Sequence, residues 1–340
     1  MITLKQSAVY KALLACYNSN HPAIVLSSPG AGKSALMAQL AEDTQSLLVD
    51  LRLILCEPTD VGGFPVPRDY VDSEGQRKGG SYVEWADPDW YIGLDSDVRA
   101  ILLLEELPQA MNATQNIASQ IIYDRAVRGK KLGPNVRVFA TGNFASDRAG
   151  SARLLTHVAN RMAILYMAVD HEDLLAWGTR SGKIHWLVNG FLRFRPELAH
   201  KFDRDADQFP SPRSWEAWSK VLSADPSADI EYALCAGIVG EGTAAEFTGF
   251  AKIARSLPDL DYVIANPLKA PVPSDEVAAL YAIASGLARK ATKSNFGNVV
   301  TYLERLPLEF AVFSIRDCDD SLKKTKPFVD WAMKHSSILG

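Results

Sequence analysis

Cysteine is scarce in this chain. The 340 residues hold only Cys16, Cys56, Cys235 and Cys318, with no CxxC pair and no partnered histidine spacing. That excludes a disulfide framework and a cysteine zinc site, and predicts reduced, buried thiols of the cytosolic kind. The six histidines form no HExxH set, so no structural zinc is expected. No apolar run approaches the ~20 residues that a membrane span needs. Met1-Ile2-Thr3-Leu4-Lys5-Gln6 has no apolar signal core. A cytoplasmic protein with no membrane partner is expected. Strong charge of one sign is also missing. A net charge of −4 argues against wholesale coating of nucleic acid, though it permits a local basic patch. There is no internal repeat and no low-complexity tract. What remains is ordinary: 47% hydrophobic and 22% charged residues, at a length that suggests two or three globular domains.

One segment is far from ordinary. Ser27-Ser28-Pro29-Gly30-Ala31-Gly32-Lys33-Ser34 sits between apolar Ala23-Ile24-Val25-Leu26 and helix-forming Ala35-Leu36-Met37-Ala38-Gln39-Leu40. A glycine-rich turn between strand and helix aims backbone N–H groups at an anion, and the helix dipole adds to them. Lys33 would reach the β- and γ-phosphates of a nucleoside triphosphate, and the Ser34 hydroxyl would hold Mg²⁺. The expected phosphate cradle is Pro29, Gly30, Ala31, Gly32, Lys33, Ser34 and Ala35. Ser27 stands where the formal pattern has glycine.

Strands and helices then alternate, which predicts a parallel, doubly wound sheet. A helix is expected over 4–17, and strands over 23–26, 47–55, 101–104, 136–141 and 163–167. Residues 57–82 read as a hairpin insertion with a tight turn at Asp72-Ser73-Glu74-Gly75. A helix is expected from Ala113 to Tyr123 with Asn112 as its cap, and a helical stretch through Leu154, Leu155 and Val158. From about residue 171 the pattern becomes helical and holds five of the seven tryptophans. A proline-rich connector, 257–274, precedes a last helical segment.

Leu102-Leu103-Leu104-Glu105-Glu106 ends a buried strand in two carboxylates, a costly arrangement that a metal ion would relieve. Glu105 would hold Mg²⁺ and Glu106 would act as general base toward water. Asn143 ends the next strand and could orient that water. Arg161, before the last strand, and Arg213, opening a later helix, could stabilise charge on the transferring phosphate.

As a set these residues resemble the AAA+ ATPases, and within them the MoxR group. The carrying stretches are Ser28 to Ser34, Leu104-Glu105-Glu106-Leu107, Ala140-Thr141-Gly142-Asn143, Asn160-Arg161-Met162 and Ser211-Pro212-Arg213. Glu57 to Pro67 resembles the insertion those proteins carry, and the likeness covers roughly 20–220. It implies an AAA+ P-loop α/β domain over 1–168, an all-α lid over 169–256 and a helical C-terminal segment over 257–340. It implies ATP and Mg²⁺ as ligands, and a ring, usually of six copies. By it Asn143 is sensor 1, Arg213 is sensor 2 in cis, and Arg161 is an arginine finger in trans, with Arg153 in reserve. It further implies remodelling of a protein client, often with a partner bearing a von Willebrand factor A domain. Glu105 departs from the group's usual Asp and Met162 from its usual aromatic. The unfamiliar C-terminal segment suggests a viral or mobile-element origin.

Three readings stay open. Phe64, beside Gly62-Gly63, either grips a polypeptide in a ring pore or packs on its own domain. Arg125, Arg128, Lys130, Lys131 and Arg137 are either a solvated turn or a nucleic-acid contact, which would make the chain a nucleic-acid motor. Slow turnover through Glu105 would make it an ATP-binding switch.

Overall fold

The computed structural model describes residues 2–71, 73, 75–147, 154–273 and 276–336. The chain divides into two compact units, Met1–Ala168 and Val169–Gly340.

The first unit begins with a short strand β1 (Thr3–Lys5) and helix α1 (Gln6–Ser19). β2 (Ala23–Ser27), α2 (Lys33–Asp43) and β3 (Leu47–Arg52) follow. A single helical turn α3 (Pro58–Gly62) precedes the ribbon β4 (Phe64–Val71) and β5 (Arg77–Ala86). Then come β6 (Ala100–Glu105), α4 (Asn112–Asp124), a miniature ribbon β7 (Ala126–Val127) and β8 (Lys130–Lys131), and β9 (Val136–Asn143). α5 (Thr156–Ala159) and β10 (Ala163–Ala168) close the unit.

Six strands form one sheet in the order β1-β10-β2-β9-β6-β3, and every pairing is parallel. Helices lie between the strands in sequence, as parallel crossovers require. The inner strands read as unbroken apolar runs because both faces are covered. Ala23, Ile24 and Val25 are fully buried, and all of β6 is buried. The chain leaves β2 for the far edge at β3, steps inward through β6 and β9, then passes β2 to reach β10. In open parallel sheets, ligands bind beyond the carboxyl ends of the strands where such connections diverge. The P-loop leaves β2 at that place.

Several boundaries differ from expectation. β1 is an added edge strand ahead of the first helix. The strand expected over 47–55 stops at Arg52, because its partner β6 stops at Glu105, the residue paired with Arg52. Leu53 then turns into the core, while Ile54 and Leu55 face solvent. The hairpin arms run from Phe64 to Ala86, later than 57–82. Residues 58–62 are helical instead, started by Pro58 and a reciprocal Glu57–Asp60 capping box. Asp72 and Glu74 of the expected tight turn lie outside the described residues. Asn112 is the first helical residue of α4 rather than its cap, which is Met111. Leu154 and Leu155 precede α5 rather than lying within it.

The second unit holds helices and no strand among its described residues. It comprises α6 (His171–Ser181), α7 (Trp186–Phe194), α8 (Pro212–Ser223), α9 (Ala228–Val239) and α10 (Glu241–Ser256). It continues with α11 (Leu260–Ala265), α12 (Val277–Lys290), α13 (Phe296–Leu303), α14 (Leu308–Asp317) and α15 (Lys326–Lys334). Trp215 and Trp218 are fully buried and meet Phe191 and Phe247 at ring separations of 5.6 and 5.8 Å. Such pairs add about 0.5–1.5 kcal/mol each beyond burial. A second cluster gathers Val263, Phe296, Tyr302 and Trp331. α12 serves both, giving Ala278 and Ala282 to the first and Ile283 and Leu287 to the second. Among the described residues no helix is long and apolar enough to cross a membrane.

Candidate functional site

The last β2–β9 pair is Ser27 with Asn143. Beyond it the chain turns through Gly30 and Gly32, whose φ values are +75° and +93°. Gly32 caps α2 with no side-chain hydrogen bond, so no cap side chain competes for the first-turn N–H groups. A Cβ built on Gly32 meets nothing within 4 Å. Its backbone conformation, not crowding, requires glycine there. Pro29 is half-buried, Ala31 is buried inside the loop, and Ala35 is exposed on the first turn of α2.

Lys33 opens α2. Its Nζ donates to Asn143 Oδ1 at 2.8 Å, to Ser27 Oγ and O at 3.1 and 3.2 Å, and to Ser28 O at 3.3 Å. The Ser34 hydroxyl donates to the Glu105 carboxylate. Glu105 is buried, and its extra methylene does not prevent it from meeting Ser34. Arg52 answers its other oxygen, Nε lying 3.6 Å from Glu105 Oε2 and 3.6 Å from Asp50 Oδ2. Burial, and then the negative charge of Glu105, raise the Asp50 carboxyl above its ordinary range against the pull of Arg52.

Glu106 has φ 56° and ψ 34°, a left-handed conformation unusual for a side-chain-bearing residue. Such outliers persist where the surroundings impose them, often at functional sites. Here a tight turn, Leu107–Gln109, lies against the end of β9. A Cβ on Gly142 would come 2.5 Å from both Cδ and Cγ of Pro108. With its amide turned to satisfy both neighbours, buried Gln109 donates to Glu106 O at 3.2 Å and accepts from Asn143 N–H at 3.0 Å. Glu106 and Asn143 therefore share one support.

The structure thus brings Lys33, Ser34, Glu105, Glu106 and Asn143 to one edge of the sheet. The groups suit phosphate and a hard divalent cation: a lysine ammonium, the N–H groups at the start of a helix, a hydroxyl and a carboxylate. Among the described residues no three His, Cys, Asp or Glu side chains converge as a metal group. A Mg²⁺ held by Ser34 and Glu105 would complete its shell with phosphate and water.

Arg161 is not at this edge. It precedes β10, whose first residue pairs with Ala23 at the opposite end of β2. The length of β2 alone, about 13 Å at ~3.3 Å per residue, separates the two edges. Its Nη1 donates to Ser119 Oγ at 2.7 Å, and its guanidinium lies 4.2 Å from the Tyr123 ring centroid. It lines a cavity of about 340 Å³ with His21, Tyr123, Arg125 and Asn160. Arg153 lies outside the described residues. Arg213 belongs to the second unit, exposed in the first turn of α8. Ser211 and Ser214 cap that helix reciprocally, and Arg213 has no ion-pair partner among the described residues. A cation at the positive end of a helix is unfavourable until an anion joins it.

The expected basic cluster is largely occupied. Arg125 donates to Gly133 O and Val136 O at 3.0 and 2.7 Å, and Arg137 to Tyr17 O at 2.8 Å. Arg128 stacks on Trp85 at 3.8 Å, and Lys130 meets Asp87 at 2.5 Å. Phe64 is 64% exposed at the start of its ribbon. Asp50, Arg52 and Gln109 escaped the sequence reading. Asp-Leu-Arg at a strand end places two charges on one face, a signal that was present; Gln109 has no local signature.

No protein-family profile matches the chain, and no curated protein matches it. Among solved structures it is similar to a point variant of RuvB from Thermotoga maritima, at 14% identity and a TM-score of 0.40, over 89% of this chain and 88% of that one. It is similar to NtrX of Brucella abortus at 15% identity and a TM-score of 0.35, over 92% of this chain and 60% of that one. The chain thus spans about 60% of the length of NtrX. A second NtrX structure, in complex with ADP, aligns at 14% identity and a TM-score of 0.35, over 94% and 62%. Likeness this distant carries no argument of its own; the functional reading rests on the geometry above.

Proposed function

We propose that this chain is an ATP-hydrolysing, MoxR-like AAA+ ATPase that works as a ring, usually of six copies, to remodel a protein client. The observation that carries it is the meeting of Lys33, Ser34, Glu105 and Asn143 beyond the carboxyl ends of β2, β6 and β9. In this reading Pro29 to Ala35 cradle the ATP phosphates, and Lys33 shifts its ammonium from Asn143 toward them. Ser34 and Glu105 hold Mg²⁺, which supplies positive charge to the phosphate oxygens when bound. Glu106 accepts a proton from the attacking water, and Asn143 orients that water through its freed amide. Gln109 and the Pro108–Gly142 contact keep the two in register.

Arg161 acts in trans. Its place at the amino edge supports this, since its own P-loop lies at the other edge. Arg213 acts in cis as sensor 2, its unpaired charge in the first turn of α8 supporting an anionic partner. Residues 169–256 form the lid, and 257–340 are a separate helical C-terminal segment. A partner with a von Willebrand factor A domain belongs to the same proposal. A protein client is favoured over nucleic acid because four of the five clustered cations are engaged within the first unit.

The test is steady-state ATP hydrolysis per chain against protein concentration, with Glu106→Gln as blank. The proposal expects a specific rate that rises steeply and then saturates, lost in Arg161→Ala. A rate independent of concentration would remove the trans arginine. A rate no better than the blank would leave an ATP-binding switch.

A further inference from the structure

Arg52 closes β3 directly opposite Glu105. Residues two apart on a strand share a face, so Asp50 and Arg52 point the same way. The guanidinium sits between two carboxylates through one nitrogen, 3.6 Å from each. This is not the bidentate fork that makes an arginine pair strong. The three side chains also differ in exposure: 64% for Arg52, 36% for Asp50 and 9% for Glu105. A guanidinium mostly in water leaves such a contact at little cost. Glu105, buried and charged, cannot be left without a cation so cheaply.

We propose that Arg52 is a displaceable counter-cation for Glu105. It neutralises Glu105 while no divalent ion is held there, and it swings onto Asp50 when Ser34 and Glu105 take one. Asp50 is then the parking carboxylate, a positioning residue acting through Arg52. Arg52 and the metal compete for one carboxylate, so the arginine charge lowers metal affinity and its removal raises it. The inference rests on the reading that Ser34 and Glu105 hold the metal.

The experiment measures Mn²⁺ affinity of the full chain by the paramagnetic signal of free Mn²⁺, with and without a non-hydrolysable ATP analogue. Arg52→Gln and Arg52→Met, the second keeping an apolar stem, should each tighten Mn²⁺ by about three- to tenfold at low salt. The gain should shrink as salt screens the exposed charge. Arg52→Lys should stay near wild type. Asp50→Asn should weaken Mn²⁺ by about threefold, because the displaced arginine loses its second partner. Thermal melts within a few degrees of wild type establish that the variants are folded. Unchanged or weaker Mn²⁺ binding in both neutral variants overturns the counter-cation. Glu105→Gln separates the two claims. If it binds Mn²⁺ like wild type, the metal-site reading falls and this inference with it. If it loses Mn²⁺ while Arg52→Gln changes nothing, only the counter-cation falls.

Discussion

The two edges of the six-stranded sheet differ in what their polar side chains mostly hold. At the carboxyl edge most contacts run from side chain to side chain, Lys33 with Asn143, Ser34 with Glu105, and Arg52 with Glu105 and Asp50, while Lys33 also reaches the carbonyls of Ser27 and Ser28. At the amino edge, cations answer the main chain: Arg125 holds Gly133 O and Val136 O, and Arg137 holds Tyr17 O. A main-chain carbonyl is placed by the fold itself, so those contacts are structural. Contacts between side chains can be exchanged for a ligand without unfolding anything. Arg125 also donates to Asn20 Oδ1 at 3.0 Å, and Arg161 is held by Ser119 Oγ and the Tyr123 ring. The Arg161 contacts are of the exchangeable kind, as a trans-acting group would need.

The comparison breaks first at Glu106. Glu106→Gln should lower turnover by about 10²- to 10⁴-fold while nucleotide binding and the melting temperature hold. A large fall in melting temperature would make Glu106 structural. The sharpest contrast comes from two arginines of one cavity. Arg125→Ala should cost about 1–3 kcal/mol in denaturant unfolding, because Gly133 O, Val136 O and Asn20 Oδ1 each lose one of their donors. Arg161→Ala should cost less, about 0.5–1 kcal/mol, since it gives up one hydroxyl contact and one ring face, and should act chiefly on turnover. Equal destabilisation by both would erase the distinction between the edges. Gly142→Ala is intermediate. Its Cβ would press on the Pro108 ring at 2.5 Å, costing about 1–3 kcal/mol and lowering turnover by shifting Glu106 and Asn143 together.

His185 in the second unit supplies a control that should leave both edges alone. Burial, then the charges of Arg289 and Arg255, lower its pKa to about 4. Its Nδ1 accepts from Leu187 N–H at 3.2 Å, which needs the neutral ring. The unfolded chain takes up the proton near pH 6.5 and the folded one only near 4. This contribution is therefore complete above about pH 6.5 and lost as pH falls toward 4. His185→Gln should flatten that slope in thermal melts between those values. Smallest of all, Arg213→Ala should stabilise α8 by about 0.3–1 kcal/mol while slowing hydrolysis.

Much of the first unit was legible in the chain. The P-loop, the two acids of Glu105-Glu106 and the strand ending at Asn143 announce themselves because each couples an apolar run to a chemically costly terminus. Boundaries were less legible. β3 ends where β6 ends, and no residue of β3 states where its neighbour stops. The ribbon begins at Phe64 because Glu57, Pro58 and Asp60 start a helical turn, a local signal outweighed by the general glycine and proline content.

By itself the amino-acid sequence determined the phosphate loop, the alternation of strands and helices, and the helical character after residue 168. These follow from local rules: which residues tolerate positive φ, which bury on both faces of a sheet, which repeat at helical spacing. Only the tertiary structure decided which edge each charge occupies. Strand order carries Arg161 away from Lys33 and sets Arg52 against Glu105. It also turns Arg125 and Arg137 from a basic patch into donors for main-chain carbonyls. Those outcomes depend on pairings between segments distant in sequence, where one register choice fixes every facing side chain at once.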